Sequence, residues 1–538
     1  MVASAFGRSL RVWPLANTPA AFGFRVWPRA CAVAFMMSVV GVGGQAMAAV
    51  DDEPPGLTAS SATLAHVRTL YDRAHSHEHT RAATVIEDWR LFQDGTVGSY
   101  HVNRLGKDIR ETTTLGPLVY QRGVRGAVHW EQNRNGIVYT YPGVHELRDA
   151  ASERAFRDSG DDHDVRLVGE SPALNAYVVE LNPLAGRHEW LFVDKRTGYI
   201  TRREYVERRR RYATSYDDYK LVEGVPEPSR TRTVDSLGNE REQILVTRSL
   251  DTTPDLKDVD IPAPRHLVEF PEKQPTVRLP VRFVNGLAIV RVIVGRVGYD
   301  FLLDSGAAGI VIDPSVAQQQ GLERYGQRLG ATLGTFPEST TIVPQMTIGG
   351  LRMRNIVSRV VTVPFHIDDR THVAGLLGFD FFADAVVHVD LQRSLAEALS
   401  PDHFRPPADA TTVNVGLDDK TPAVTARAGS SSGRVVLDTG ANRTVFETAF
   451  AERGDFSPDR IASTTHVRGM GGYANAEPTR VPTFELGGIW IREVTADVSN
   501  VDLGTEDVDG IVGTDLLRSY ELWFDYRTNA IYIRKSKR

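Results

Sequence analysis

The sequence predicts a mainly β protein in which an N-terminal curved antiparallel sheet with a helix precedes two β lobes that are copies of one another. Three observations predict it. Short alternating runs broken by Gly, Asn and Asp fill residues 83–260, the period-two pattern of half-buried strands. The stretch Val435-Val436-Leu437-Asp438-Thr439-Gly440-Ala441 has a near copy, Phe301-Leu302-Leu303-Asp304-Ser305-Gly306-Ala307, lying 134 residues earlier. Each copy is then completed by an apolar-apolar-Gly element at almost the same distance: Gly378 follows Asp304 by 74 residues and Gly513 follows Asp438 by 75. In both loops an apolar run delivers a carboxylate to the end of a strand, a hydroxyl residue follows, and Gly lets the backbone turn tightly.

The chain of 538 residues exceeds the size at which a single core stops growing, so two or three domains are expected. Hydrophobic residues at 41 %, charged residues at 24 % and a formal net charge of −6 describe a globular chain and argue against a nucleic-acid binder. Residues 1–48 read as a secretory signal. Arg25 and Arg29 precede the apolar run 32–40, and Ala46-Met47-Ala48 forms a small-residue cleavage site, with a retained anchor as the alternative. The same region repeats Arg-Val-Trp-Pro at 11–14 and 25–28, for which there is no physical account. The only cysteine, Cys31, lies inside the signal, so stability cannot rest on disulfides. Export without cysteines suits a bacterial periplasm or the cell exterior.

The N-terminal domain is expected over 49–257. Its helix is marked by Leu64, Val67, Leu70 and Tyr71 at helical spacing and ends in His75-Ser76-His77-Glu78-His79. Without a second cluster to complete a metal site, that tract reads as a solvated helix end. Arg208-Arg209-Arg210-Arg211, with Glu204 and Glu207 alongside, reads as a solvated strand whose residues alternate between faces. Four prolines between Asp258 and Thr276 (Pro262, Pro264, Pro271, Pro275) give the composition of a semi-rigid linker over 258–276. The first lobe is expected over 277–395, a linker with Pro401, Pro406 and Pro407 over 396–410, and the second lobe over 411–538. Beyond the Gly of each apolar-apolar-Gly element, Asp380 and Asp515 stand where a short helix starts and are expected to be N-caps. Asp390 and Asp525, each 12 residues past that Gly, end apolar strands and are expected to begin turns.

The tripeptide alone is weak, and the chain carries its own decoy. Asp158-Ser159-Gly160 fits it but runs into Asp161-Asp162-His163-Asp164 with no apolar strand leading in.

The two apolar-Asp-Ser/Thr-Gly-Ala loops, each with its apolar-apolar-Gly partner, resemble the two halves of an aspartic peptidase. Ala307 and Ala441 after the Gly make them more similar to the retroviral type, which dimerises to build one site, than to pepsin; here the dimer resembles a fused one. The resemblance implies that Asp304 and Asp438 lie side by side at a pseudo-twofold axis, share a proton and activate a water. It implies support of the loops by hydroxyl-to-backbone hydrogen bonds of Ser305 and Thr439 with room left by Gly306 and Gly440, and a flap at Gly469-Met470-Gly471-Gly472 of the run Arg468–Tyr473. The first copy offers Leu333-Gly334-Thr335-Phe336-Pro337 at the flap position, with Pro as an untypical tip. No metal, other cofactor or covalent intermediate is implied, the substrate is a peptide or protein, and a pseudo-dimer within one chain implies a monomer.

The phrases Gly126–Glu131, Phe192–Gly198 and Val222–Pro228 resemble the periplasmic lipoprotein-carrier half-barrel, a curved sheet around a helix, which implies a lipid or lipoprotein at the N-terminal domain. Two alternatives to an exported endopeptidase follow. One is a non-catalytic peptide-binding module with the same fold. The other is an envelope carrier of lipid or lipoprotein with an accessory peptidase-like part. No mature cysteine or H-E-x-x-H motif supports another hydrolytic mechanism.

Overall fold

The computed structural model describes residues 53–75, 84–158, 164–207, 210–222, 224–250, 255–364, 366–368, 371–456, 465–499 and 508–537. The signal segment, most of the histidine tract, Arg208, Arg209 and the decoy beyond Asp158 lie outside them. The fold is mainly β: a large N-terminal antiparallel sheet, then the sheets of two lobes and a six-stranded sheet that joins them.

Alternating sequence between 84 and 250 builds one sheet of thirteen strands. Six strands, from Thr84–Gln93 to Val138–Tyr141, run as a meander; seven more, from Val165–Ser171 to Glu240–Leu250, run back. The first strand pairs with the last, Trp89 opposite Leu245, so the two meanders fuse and Val138–Tyr141 and Val165–Ser171 become the edges. The helix Val144–Asp158 connects those edges. The sheet wraps on itself, since residues 109–124 and 181–203 line one small cavity of about 110 Å³ together with both helices. The helix Leu64–Ala74 is N-capped by Thr63, whose hydroxyl accepts from the His66 N–H at 3.2 Å. It buries Val67 and Tyr71 against Val165, Val179, Leu181 and Val193. His75 ends this helix with its ring stacked on Tyr71 and Nδ1 bonded to the Tyr71 carbonyl.

Each lobe sets its Asp loop by the same pairing. Phe301–Leu303 run parallel to Gly375–Leu377, and Val435–Leu437 run parallel to Gly510–Val512. These runs are apolar on both faces because both faces are covered; Phe301, Leu303, Val435 and Leu437 have no exposed surface. The lobes meet in the six-stranded sheet, in the order Thr276–Arg278, Leu395–Leu399, Val386–Asp390, Tyr520–Asp525, Ala530–Lys535, Thr411–Asn414. Its seam is the antiparallel pair Val386–Asp390 with Tyr520–Asp525, where His388 stacks on Trp523. Asp390 accepts from the N–H groups of Gln392 and Arg393, which closes the turn it begins.

Four expectations need correcting. The inter-lobe linker does not start at 396, because Leu395–Leu399 is a paired strand with Ala396 and Ala398 fully buried. The Pro-rich stretch 258–276 is not a free spacer. Leu267 and Val268 are buried, both of their N–H groups bond to Asp384, Val268–Glu269 pairs with Leu351–Val361, and the Arg265 N–H reaches the Gly136 carbonyl. Two apolar residues and one carboxylate suffice to lay a proline-broken segment onto a lobe, which a composition count overlooks. Arg210 and Arg211 are half-buried and bonded, not solvated: Arg211 lies over the Trp190 ring and on Glu204, while Arg210 reaches the carbonyl of Ala331 in the first lobe. Asp380 and Asp515 are not N-caps, since Gly378 and Gly513 hold those positions; their carboxylates bond elsewhere, as described below.

Candidate active site

The two Asp loops meet at the floor of a cavity of about 950 Å³ lined by both lobes and by the N-terminal sheet. The Asp304 N–H donates to the Leu377 carbonyl and the Asp438 N–H to the Val512 carbonyl, both at 3.0 Å, so each carboxylate is aimed by its parallel strand pair. The loops are tied by a reciprocal set of bonds. Ser305 Oγ donates to the Leu437 carbonyl (2.7 Å) and accepts from the Thr439 N–H (3.0 Å); Thr439 Oγ1 donates to the Leu303 carbonyl (2.7 Å) and accepts from the Ser305 N–H (3.0 Å). Each hydroxyl is buried and uses its donor and an acceptor, leaving little freedom. Close approach explains Gly306 and Gly440. A Cβ on either would come within 2.6 and 2.4 Å of the opposite carboxyl carbon.

The Asp304 and Asp438 carboxyls are buried and close enough for each to act on the other's ionisation, and Gly440 N–H donates to Asp438 Oδ1 at 2.7 Å. Withdrawal from solvent, reinforced by the Asp438 charge, holds Asp304 well above the ordinary carboxylate range; burial raises Asp438 as well, against the Gly440 bond. Two buried carboxyls so placed oppose double ionisation.

Gly378 and Gly513 close the site from below. Behind each, the Phe379 N–H donates to the Ala307 carbonyl and the Thr514 N–H to the Ala441 carbonyl. The carboxylate one residue further on reaches back to the segment after the Asp loop. Asp515 accepts from the Thr444 N–H (3.0 Å) and hydroxyl (2.8 Å); Asp380 accepts from the Ile310 N–H (2.9 Å) and from Asn133 Nδ2 (2.8 Å) of the N-terminal sheet.

Two hairpins cover the cavity. In the second lobe Met470-Gly471 forms the turn between Gly469 and Gly472, with φ of +81° at Gly471. In the first lobe the tip is Thr332-Leu333-Gly334, between Arg324–Ala331 and Thr335–Ile348; Pro337 lies within the strand opposite Leu329, so the untypical proline is not at the tip. The tips touch. Thr332 Oγ1 donates to the Met470 carbonyl, Gly334 and Gly471 approach so closely that a Cβ on either would strike the other's carbonyl, and Met470 packs on the apolar pocket of Leu287, Leu302, Phe336 and Leu376.

Sequence reading did not find four supporting residues. Tyr526 lies beneath the loops, stacked on Phe379 and Phe382, and donates to the Ser305 carbonyl at 3.1 Å. Asn133 and Asn135 dock the hairpin at 133–137 on the first lobe, Asn135 pairing through both amide atoms with the N–H and carbonyl of Val357. Asn239 does the same for Leu329 in the first hairpin's strand, donating to its carbonyl at 2.9 Å and accepting from its N–H at 3.2 Å. Asn between Gly and turn residues looks like any loop, and its partners lie about 90 residues or more away in the chain; the signal was confined to pairs such as Asn133-Arg134-Asn135-Gly136. Among the described residues no group of His, Cys, Asp and Glu is placed to hold a metal ion.

Residues 290–381 and 424–516 each match the family model described as Aspartyl protease. No curated protein matches the chain.

Proposed function

We propose that the chain is an exported endopeptidase that cuts peptide bonds with Asp304 and Asp438; the tandem matches of residues 290–381 and 424–516 to the Aspartyl protease model support a hydrolase of the peptidase type. The observation that carries this reading is the pair of buried carboxyls on loops tied by the reciprocal Ser305 and Thr439 bonds. Shared protonation makes one member a base and the other an acid at the same pH. The ionised carboxylate takes a proton from a water held between them, that water attacks the scissile carbonyl carbon, and the protonated carboxyl gives its proton to the carbonyl oxygen as the tetrahedral intermediate forms. Proton return to the leaving amine completes cleavage. The paired hairpins exclude bulk water and hold the extended peptide, and the apolar pocket under Met470 accepts a side chain beside the scissile bond.

Nothing favours the acyl-carrier alternative. The interior of the N-terminal sheet is crossed by buried ion pairs, Arg122 with Glu111 and Arg203 with Glu189, and apolar chains there would strip charge from water without replacing it. We propose a monomer, with the signal 1–48 directing export and a peptide or protein as substrate.

The test is a peptide-library digest by the mature chain beside Asp304→Asn and Asp438→Asn. Each variant should lose at least about 10³-fold in kcat/KM, with the double variant adding almost nothing because the pair acts as a unit. Melting temperatures should not fall. Substantial cleavage by either single variant would sink the mechanism, and no cleavage by the parent would favour a binding module.

A further inference from the structure

Beyond the apolar pocket, the wall of the cavity changes character. Thr335–Ile348 and Leu351–Val361 are antiparallel partners with Glu338 opposite Val361 and Thr340 opposite Arg359, and Arg324–Ala331 places Arg328 opposite Glu338. Directly opposed residues share a face, as do residues two apart along a strand. Phe336, Glu338 and Thr340 therefore stand on the same face as Val361, Arg359 and Arg328. Phe336 and Val361 belong to the apolar pocket, so the charged group begins one strand step further from it, on the same wall.

Guanidiniums gather there. Glu338 is almost fully buried and bonded to both Arg328 (Nε to Oε1, 2.8 Å) and Arg359, whose side chains retain about a third of their surface. The N-terminal sheet adds a third guanidinium, Arg134, held over this face by its bond to Thr340 Oγ1 at 3.2 Å. Burial opposes ionisation of Glu338, but Arg328 and Arg359 outweigh it and hold the carboxyl at about 2, so its charge is permanent. A second carboxylate near Arg328 and Arg134, Asp94 at a turn of the N-terminal sheet, is pushed up to about 7 by burial, so at mildly acidic pH it does not offset them. At mildly acidic pH three guanidiniums thus gather around the one ionised carboxylate Glu338 on this stretch of wall, in a region partly shielded from water.

We propose that Arg134, Arg328 and Arg359 form a subsite, shared between the N-terminal sheet and the first lobe, for a carboxylate of the substrate lying next to the residue that fills the apolar pocket. An extended peptide sends alternate side chains to one side. A side chain in the pocket and an acidic residue two positions away would thus face the same wall; a free terminal carboxylate at the matching distance would serve equally. Planar guanidiniums suit that group, since they bind carboxylates through paired, charge-assisted hydrogen bonds. This inference rests on the cavity being the peptide site proposed above.

Binding separates the two ideas from each other. Fluorescent peptides with one apolar anchor, an acidic residue walked along the sequence as Glu or Gln, and the C-terminus free or amidated, are titrated against full-length Asp438→Asn. At one position the Glu peptide should bind about 10-fold or more tightly than its Gln twin, the size of one charge-assisted bond. A difference that follows the free or amidated end instead assigns the site to a chain terminus. Arg134→Gln and Arg359→Gln should bring the twin affinities together, Arg134→Lys should keep part of the gap, and Glu338→Gln should widen it, with melting temperatures recorded to exclude unfolded variants. Equal affinities in every pair, a gap indifferent to these variants, or no binding at all overturns the subsite. Tight peptides that the parent chain leaves uncut would sink the hydrolase reading and leave the subsite standing.

Discussion

Asn133, in a loop of the N-terminal sheet, gives Asp380 the hydrogen bond that Thr444, inside the second lobe, gives Asp515. Ile310 and Thr444 stand six residues after Asp304 and Asp438, and both donate a backbone N–H to the carboxylate behind the loop. Only Thr444 also carries a hydroxyl. The first lobe lacks that donor, and the N-terminal sheet supplies it.

Asn133→Ala should therefore leave a nearly buried carboxylate oxygen of Asp380 without its partner, at a cost of about 1–3 kcal/mol, and lower kcat through misplacement of the Asp304 loop. Adding Ile310→Thr should restore part of the loss, because its hydroxyl would occupy the place of Thr444. Melting temperature and kcat of the two variants check this; an Asn133→Ala chain with unchanged kcat removes the argument.

The shared proton predicts the pH profile. Burial raises both carboxyls and the Asp438 charge raises Asp304 further, so a singly protonated pair persists above the ordinary carboxylate range and is lost when its remaining proton leaves at higher pH. Plots of kcat/KM against pH should show an alkaline limb clearly above about 4, the ordinary value. A limb at that value means the carboxyls are not coupled.

Asn239 should act as a latch on the first hairpin. It holds both the N–H and the carbonyl of Leu329, Arg210 holds the carbonyl of Ala331, and the hairpin tip in turn holds Met470. Asn239→Ala should speed amide exchange of residues 324–335 by about 5- to 30-fold, the equivalent of about 1–2 kcal/mol, and raise KM more than it changes kcat. Exchange mass spectrometry decides it: protection equal to the parent's would show that the hairpin closes without the N-terminal sheet.

Asp94 makes docking of the sheet pH-dependent. Its Oδ1 is buried without a hydrogen-bond partner, and its carboxyl titrates at about 7 in the folded chain against about 4 when unfolded. The folded state thus binds the extra proton. Stability is full below about 4 and declines as pH rises to 7, by up to about 4 kcal/mol before allowance for the partial exposure of this side chain. Asp94→Asn should melt higher than the parent at pH 8 and no higher at pH 4; an equal difference at both would assign the effect to packing instead of charge.

The sequence by itself determined the elements whose information is local or repeated. Period-two alternation marked the N-terminal sheet, and the matched distances from Asp304 to Gly378 and from Asp438 to Gly513 marked two lobes with one loop each, since an apolar strand that ends in Asp-Ser/Thr-Gly carries its conformation in its own residues. Only the tertiary structure decided how those parts close on one another. Leu267 and Val268 turned a proline-rich stretch into a packed strap, Leu395–Leu399 turned a spacer into a strand of the joining sheet, and Asp380 and Asp515 bonded across the loops instead of capping helices. Asn133, Asn239, Arg134 and Arg210 reached the first lobe from far away in the chain. A polar side chain's partner depends on which backbone groups are left unpaired where two surfaces meet, and no local pattern records that.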